Sequence, residues 1–122
     1  MENKRILVVE DDEMNMELVG ALLKLGKYQM LEAEDAETGI QMARDHQPDL
    51  ILIDIQLPWM DGLSATRIIK EDPELKAIPV VALTAYAMQE DEERAKNAGC
   101  SGYITKPIDV KHFLERIAGY MS

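Results

Sequence analysis

A repeated alternation of short apolar runs with amphipathic helical patterns is the feature of this sequence that most limits its fold. The runs ILVV, LILI and IPVVAL are continuous and rich in branched residues, which is typical of strands buried on both faces of a parallel sheet. The shorter run GYIT and the loosely alternating run YQMLEA complete a set of five. In chain order, the predicted strands are Ile6–Val9, Tyr28–Ala33, Leu50–Ile53, Ile78–Leu83 and Gly102–Thr105.

Each apolar run is followed by a segment with helical spacing. In the first such segment Met14, Leu18, Leu22 and Leu25 recur every three or four residues, and Gly26 is a predicted helix stop. The later segments cover residues 36–43, 63–71, 88–98 and 110–121. Five successive strand–helix pairs predict an α/β fold with a doubly wound parallel sheet covered by helices on both faces. We expect a single domain over residues 1–122 with no output domain.

The charge balance narrows the classes of partner. The chain has 13 Lys and Arg residues against 23 Asp and Glu residues, a formal net charge of −10, which disfavours direct binding to nucleic acid or to an anionic membrane. Cys100 is the only cysteine, so an internal disulfide and a thiolate zinc cluster are excluded. No segment approaches the ~18 consecutive apolar residues of a membrane span. We therefore expect a cytoplasmic protein without membrane association.

Polar side chains follow four of the predicted strands. Glu10 and Asp11 come after the first, Asp54 after the third, Thr84 after the fourth and Lys106 after the fifth. In an open parallel sheet ligands bind outside the carboxyl ends of the strands, so we expect these groups to lie together at one edge. A lone buried carboxylate such as Asp54 would be unstable without a cation, a hydrogen-bond donor or a metal beside it.

The predicted cluster has the chemistry of a phosphoryl-transfer site. Carboxylates that lie close together repel one another unless a cation is bound, and hard oxygen ligands suit Mg²⁺. A carboxylate can also attack phosphorus and form an acyl phosphate. Phosphoryl transfer needs in-line placement and neutralisation of the phosphoryl oxygens, which an ammonium, a hydroxyl and a divalent cation supply. The strand ends therefore predict a magnesium-dependent phosphoryl site.

The motifs VVEDD, LIDIQLPWMDG, ALTA and GYITKP, in this order over nearly the whole chain, resemble the receiver domain of two-component response regulators. The resemblance implies a flavodoxin-like (β/α)5 receiver fold with strand order 2-1-3-4-5. It also implies a signalling protein rather than an enzyme, phosphorylated by a histidine kinase or a histidine phosphotransfer protein and acting on a downstream protein target. The start E-D-D-E-x-N is similar to that of DivK-type single-domain cell-cycle regulators; its residues are Glu10, Asp11, Asp12, Glu13 and Asn15.

The resemblance assigns roles around the acidic cluster. It implies that Asp54 is the phosphoacceptor, that Asp11 ligates Mg²⁺ directly, and that Glu10 acts on the metal through water. The backbone carbonyl of Gln56 is the implied third protein ligand, and Mn²⁺ is an alternative metal. In the family, the residues two past the acceptor and two past the threonine tune the rate of dephosphorylation. Here these residues are Gln56 and Tyr86.

The resemblance also implies a switch. Lys106 would pair with phosphoryl oxygens, and Pro107 would follow a cis peptide bond. Thr84 would hydrogen-bond the phosphoryl group, and Tyr103 would turn from exposed to buried. This movement would change the face formed by the fourth helix, the fifth strand and the fifth helix.

Three other functions fit the sequence less well. A haloacid dehalogenase-type phosphohydrolase needs a second aspartate two residues past the nucleophile, where this chain has Gln56. A flavodoxin-like cofactor binder needs a phosphate-holding first loop rich in Ser, Thr and Gly, and the acidic first loop here would repel a phosphate. A scaffold pseudo-receiver would be expected to lack at least one of Asp11, Asp54, Thr84 and Lys106, and all four are present. Asp12 is predicted to cap a helix, and the role of Trp59 is left open.

Overall fold

Five parallel strands form one sheet in the computed structural model, which describes residues 4–85 and 89–121. The strands are β1 Arg5–Val9, β2 Gln29–Ala33, β3 Leu50–Asp54, β4 Val80–Thr84 and β5 Gly102–Thr105. Their order in the sheet is β2-β1-β3-β4-β5, and each neighbouring pair is parallel. The predicted fold class and strand order are therefore confirmed.

Helices connect the strands and cover both faces of the sheet. They are α1 Glu13–Leu25, α2 Ala36–His46, α3 Gly62–Glu71, α4 Gln89–Ala98 and α5 Phe113–Met121. Along β1, Ile6 and Val8 pack in one hydrophobic core, and Leu7 and Val9 pack in the other. This two-sided burial explains why the strand reads as a continuous apolar run. In the described part of the chain, no helix is long and apolar enough to span a bilayer.

Aspartates begin the first three helices. Asp12 caps α1 by accepting a hydrogen bond from the backbone N–H of Met14, and Asp35 and Asp61 cap α2 and α3 in the same way. Such a cap satisfies a backbone donor that has no partner inside the helix. The predicted cap at Asp12 is thus confirmed. This capping role distinguishes Asp12 from Glu10 and Asp11, the two acidic residues before it.

The helix stop at Gly26 works differently from the sequence expectation. Gly26 is the C-cap of α1, but its φ is −82°, and the left-handed conformation falls on Lys27 at φ 65°. The glycine is needed for space, because a Cβ there would lie 2.8 Å from Leu114 Cδ2 and 2.9 Å from the ring of Tyr28. The residue is therefore a point of close packing between α1 and α5.

Two predicted elements begin two or three residues later in the structure. β4 begins at Val80 rather than Ile78, because Pro79 intervenes and has no backbone N–H for a ladder. α5 begins at Phe113 rather than residue 110, after a turn in which Asp109 accepts hydrogen bonds from the backbone N–H groups of the residues that follow it. The strand and helix themselves are as predicted.

Candidate functional site

The register between β1 and β3 brings two acidic residues to the same level at the carboxyl edge of the sheet. Val9 pairs with Ile53, so Glu10 and Asp54 come next on neighbouring parallel strands. Both carboxylates are buried: Glu10 is 1% exposed and Asp54 5% exposed. Because an uncompensated buried charge is strongly destabilising, the site must supply cations or donors to both.

β4 and β5 bring the other two polar groups to this edge. Thr84 pairs with Thr105 at the ends of their strands, and the backbone N–H of Lys106 donates to the carbonyl of Thr84 at 2.6 Å. Thr84 is itself buried. The four strand ends that the sequence singled out therefore meet at one place.

The Lys106 ammonium is the cation that compensates the two buried carboxylates. Its Nζ lies 2.8 Å from Asp54 Oδ2, and 3.0 Å and 3.2 Å from Oε1 and Oε2 of Glu10. Burial by itself would lower the pKa of Lys106, but hydrogen bonds with Asp54 and Glu10 outweigh burial and raise this pKa above its usual value. Lys106 is thus held in its charged form between the two acids.

The positive charge of Lys106 does not fully offset the effect of burial on the Glu10 carboxylate. Burial, reinforced by the hydrogen-bonded neighbour Asp54, raises the pKa of Glu10 to about 7, and the attraction of Lys106 only partly offsets this. The cause is that the Lys106 ammonium is shared between two carboxylates. A further positive charge at this edge would stabilise the ionised form of Glu10.

The donor set fits an oxygen-ligated divalent cation. Carboxylate oxygens of Glu10, Asp11 and Asp54 all lie within 4.8 Å of one another, with Asp11 on the exposed side. Three carboxylates therefore face one ammonium, which leaves a negative charge beside hard oxygen donors. Mg²⁺ prefers such ligands, so these residues are suited to hold it.

Asp54 is also fixed through its own loop. The backbone N–H of Gln56 donates to Asp54 Oδ1 at 2.9 Å, while the side chain of Gln56 is exposed. At the start of α3, a Cβ on Gly62 would lie only 2.1 Å from the backbone oxygen of Asp54. Gly62 is thus a residue that sequence reasoning missed. The adjacent pair Asp61-Gly62, after a loop and before a helical pattern, was the available signal.

Two clefts open near the carboxylate cluster. One, of about 730 Å³, is lined by Glu10 and Asp11 and runs between α1 and the start of α2. The other, of about 630 Å³, is lined by Gln56 and Thr84 and runs between the β3–α3 loop and α4. One cleft therefore borders Glu10 and the other borders Thr84, both at the carboxyl edge of the sheet.

Tyr103 lies in a separate groove of about 320 Å³ on the face of α4, β5 and α5. Its side chain is half-buried rather than exposed, and its hydroxyl hydrogen-bonds Glu92 on α4, which raises the pKa of the phenol. The backbone carbonyl of Tyr103 accepts a hydrogen bond from Arg116 at 2.9 Å. The residue thus links the three elements of this face.

The remaining site candidates have diverse settings. The Lys106–Pro107 peptide bond is cis. Trp59, whose role the sequence left open, is 93% exposed with φ at 66°. It lines a small cleft next to the start of α2. Tyr86 lies outside the described residues.

Comparison with known proteins gives consistent matches. The family model of the response regulator receiver domain matches residues 6–118. The polar-differentiation response regulator DivK of Brucella anthropi is 46% identical over 118 residues, which are 97% of this chain and 96% of DivK. The receiver domain of a sensor histidine kinase from Pseudomonas aeruginosa, solved with a magnesium ion coordinated in its active site cleft, is 32% identical with a TM-score of 0.90, covering 98% of each chain.

A third match comes from a complex. It is the co-crystal structure of the histidine phosphotransfer protein Ypd1 of Saccharomyces cerevisiae and the receiver domain of its response regulator Ssk1. The matched chain has 26% sequence identity to this chain, with a TM-score of 0.90. The match covers 98% of this chain and 89% of the other. The similarity therefore extends over nearly the whole sequence.

Proposed function

Because the chain belongs to the family of response regulator receiver domains, we propose that it is a phosphoacceptor signalling protein in which Asp54 receives the phosphoryl group. The observation that carries the proposal is the 2.8 Å contact between Asp54 Oδ2 and Lys106 Nζ inside a cluster of three carboxylates. That arrangement combines a nucleophile, a permanent cation and hard oxygen ligands in a single site.

The proposed reaction transfers a phosphoryl group from a phosphohistidine of the partner. A carboxylate oxygen of Asp54 forms the new P–O bond, the P–N bond to the imidazole breaks, and the imidazole leaves with the electron pair. Lys106 would keep its charge throughout and move part of its hydrogen bonding from Asp54 to the phosphoryl oxygens. Neutralising the charge on these oxygens is the main contribution of a protein to catalysis of phosphoryl transfer.

A divalent cation belongs to this proposal. Asp11 and Asp54 would ligate Mg²⁺ directly, Glu10 would act through water, and the Gln56 backbone carbonyl would be the third protein ligand. When bound, the ion would neutralise charge on the phosphoryl oxygens. The magnesium ion in the Pseudomonas aeruginosa receiver supports this assignment, and Mn²⁺ is an alternative ion of similar ligand preference.

The proposed output is a change on the face of α4, β5 and α5. Thr84 would hydrogen-bond the phosphoryl group, and Tyr103 would complete its burial. Two contacts support the coupling: Thr84 is joined to β5 through the backbone of Lys106, and Tyr103 is joined to α4 through Glu92. A downstream protein target would read this face.

The proposed phosphodonor is a histidine kinase or a histidine phosphotransfer protein. The Pseudomonas aeruginosa match is part of a histidine kinase, and the yeast match was solved with a phosphotransfer protein. Direct nucleic-acid binding is disfavoured by the net charge of −10. A phosphohydrolase is also disfavoured, since Gln56 stands two residues past Asp54 and offers no acid to a leaving group.

The function is tested with a small phosphodonor. Intact-mass spectrometry after incubation with acetyl phosphate and Mg²⁺ should show one added phosphoryl group per chain, and EDTA should suppress it because the three carboxylates then face the phosphoryl oxygens without the cation. A hydroxylamine-labile adduct would identify an acyl phosphate. If the mass stays unchanged over a range of donor and Mg²⁺ concentrations, the proposal is wrong.

Metal binding has its own optical signal. Trp59 is the single tryptophan and lies in the loop between β3 and α3, three residues after Gln56. We expect its emission to change saturably with Mg²⁺, and again with a beryllofluoride mimic of the phosphoryl group. The variant Asp11→Asn is the control and should need a much higher Mg²⁺ concentration. If the emission spectrum changes with neither Mg²⁺ nor beryllofluoride, the result would count against the proposed metal ligands.

A further inference from the structure

Asn15 is part of the acidic motif but has no role in the function proposed above. It is the third residue of α1, and its Nδ2 lies 2.8 Å from Asp12 Oδ2 and 3.3 Å from Glu10 Oε1. Both neighbours are carboxylates, which in their ionised forms only accept hydrogen bonds, so the NH₂ group of the amide faces them. Each of its two hydrogens serves one acid. Asn15 therefore joins the cap of α1 to the buried carboxylate at the end of β1.

The two oxygens of Glu10 are bound unequally. Oε1 accepts from both Asn15 Nδ2 and Lys106 Nζ, whereas among the described nitrogen donors Oε2 accepts from Lys106, at 3.2 Å. A carboxylate oxygen has two lone-pair positions. Within the described residues, Oε1 thus has two nitrogen donors and Oε2 has one. Oε2 is therefore the oxygen of Glu10 that is better placed to serve a cation or its bound water.

We propose that Asn15 is a positioning residue that holds Glu10 with Oε2 directed toward the cation. The inference rests on the proposed function, in which Lys106 gives part of its hydrogen bonding to the phosphoryl group. Lys106 is then shared between Glu10 and the phosphoryl oxygens, so the orientation of Glu10 depends more on its second donor, Asn15. The Asn15 amide is neutral and belongs to a helix already capped by Asp12, so it keeps Oε1 in place through this exchange.

The first test is a Mg²⁺ titration of the unphosphorylated protein by isothermal calorimetry. We expect Asn15→Ala to weaken Mg²⁺ binding by about fivefold, the effect of one ordinary hydrogen bond, because the contact of Asn15 with Glu10 is long at 3.3 Å. Asn97→Ala is the matched control, because Asn97 is exposed on α4, and it should leave the affinity unchanged. An affinity for Asn15→Ala equal to that of the unsubstituted protein would overturn the proposal.

Asn15→Ser separates positioning of Glu10 from support of the helix cap. Serine has one donor and a shorter side chain, so it can serve Asp12 but cannot reach Glu10. We expect it to bind Mg²⁺ as weakly as the alanine variant, while its urea midpoint without metal stays close to that of the unsubstituted protein. Full Mg²⁺ affinity in the serine variant would mean that Asn15 acts through the cap alone, which contradicts the proposal.

A double-mutant cycle with Glu10→Ala gives the decisive readout, because alanine leaves Asn15 no acceptor at position 10. If Asn15 acts through Glu10, adding Asn15→Ala to Glu10→Ala should change Mg²⁺ affinity by less than about twofold, whereas two independent effects would multiply. Multiplied effects would overturn the inference. The cycle needs no phosphoryl group, so its failure is distinct from a failure of Asp54 to accept one from acetyl phosphate.

Discussion

Asp54→Asn is expected to abolish phosphoryl incorporation from acetyl phosphate while the protein stays folded. The asparagine amide has nearly the same shape, but it is neutral and a very weak nucleophile, so no acyl phosphate can form. Its oxygen can still accept from the backbone N–H of Gln56, and Lys106 would keep its two contacts with Glu10. Intact-mass spectrometry measures the loss directly, and circular dichroism reports the fold.

Asp45→Asn is the matched control for this loss. Asp45 lies on the exposed side of α2, where its carboxylate accepts a hydrogen bond from Gln41, and the substitution should leave incorporation unchanged. Labelling of the Asp54→Asn variant at a level comparable with the control would show that another residue receives the phosphoryl group. The assignment of Asp54 would then be abandoned.

Lys106→Met is expected to have the second-largest effect, on both phosphorylation and stability. Methionine fills a similar volume but leaves the buried carboxylates of Glu10 and Asp54 without their ammonium. Removing one partner from a buried ion pair costs roughly 3–5 kcal/mol, and we expect the lower end because the Lys106 side chain is 16% exposed. Urea unfolding in EDTA measures the loss, and the rate of phosphoryl incorporation should fall at least tenfold.

The stability loss in Lys106→Met should depend on pH. The pKa of Glu10 is already raised from 4.5 to about 7 in the folded protein, and losing Lys106 raises it further. The folded state therefore binds more protons than the unfolded state above the unfolded value near 4.5, so stability decreases as pH rises toward the folded value. We expect the urea midpoint of the variant to be closer to that of the unsubstituted protein at pH 5 than at pH 8.

The control for this pair of measurements is Lys24→Met, which removes an exposed lysine from the last turn of α1. It should change stability by only a few tenths of a kcal/mol at either pH, since exposed charges near a helix end contribute ~0.3–1 kcal/mol. Equal stability losses at pH 5 and pH 8 in Lys106→Met would contradict the view that Glu10 bears the unpaired charge.

The fold followed from sequence because its signals are local. A strand buried on both faces must be apolar at every position, so β1, β3 and β4 were recognisable from composition alone. The ends of strands and helices were predicted less accurately, as the late start of α5 shows. The reason is that a turn before a helix contains the same types of residue as the first turn of the helix. The strand ends followed from the strands, and with them the positions of Asp54, Thr84 and Lys106.

The sequence by itself determined which side chains lie at the carboxyl edge of the sheet, because all strands of a parallel sheet run in the same direction and their carboxyl ends meet at the same edge. Only the tertiary structure decided how these side chains pair. Lys106 binds Glu10 across 96 positions of sequence and Asp54 across 52, and Gly62 is required by a backbone atom of Asp54. Such contacts depend on the register and separation of elements distant in the chain, which local residue patterns do not encode.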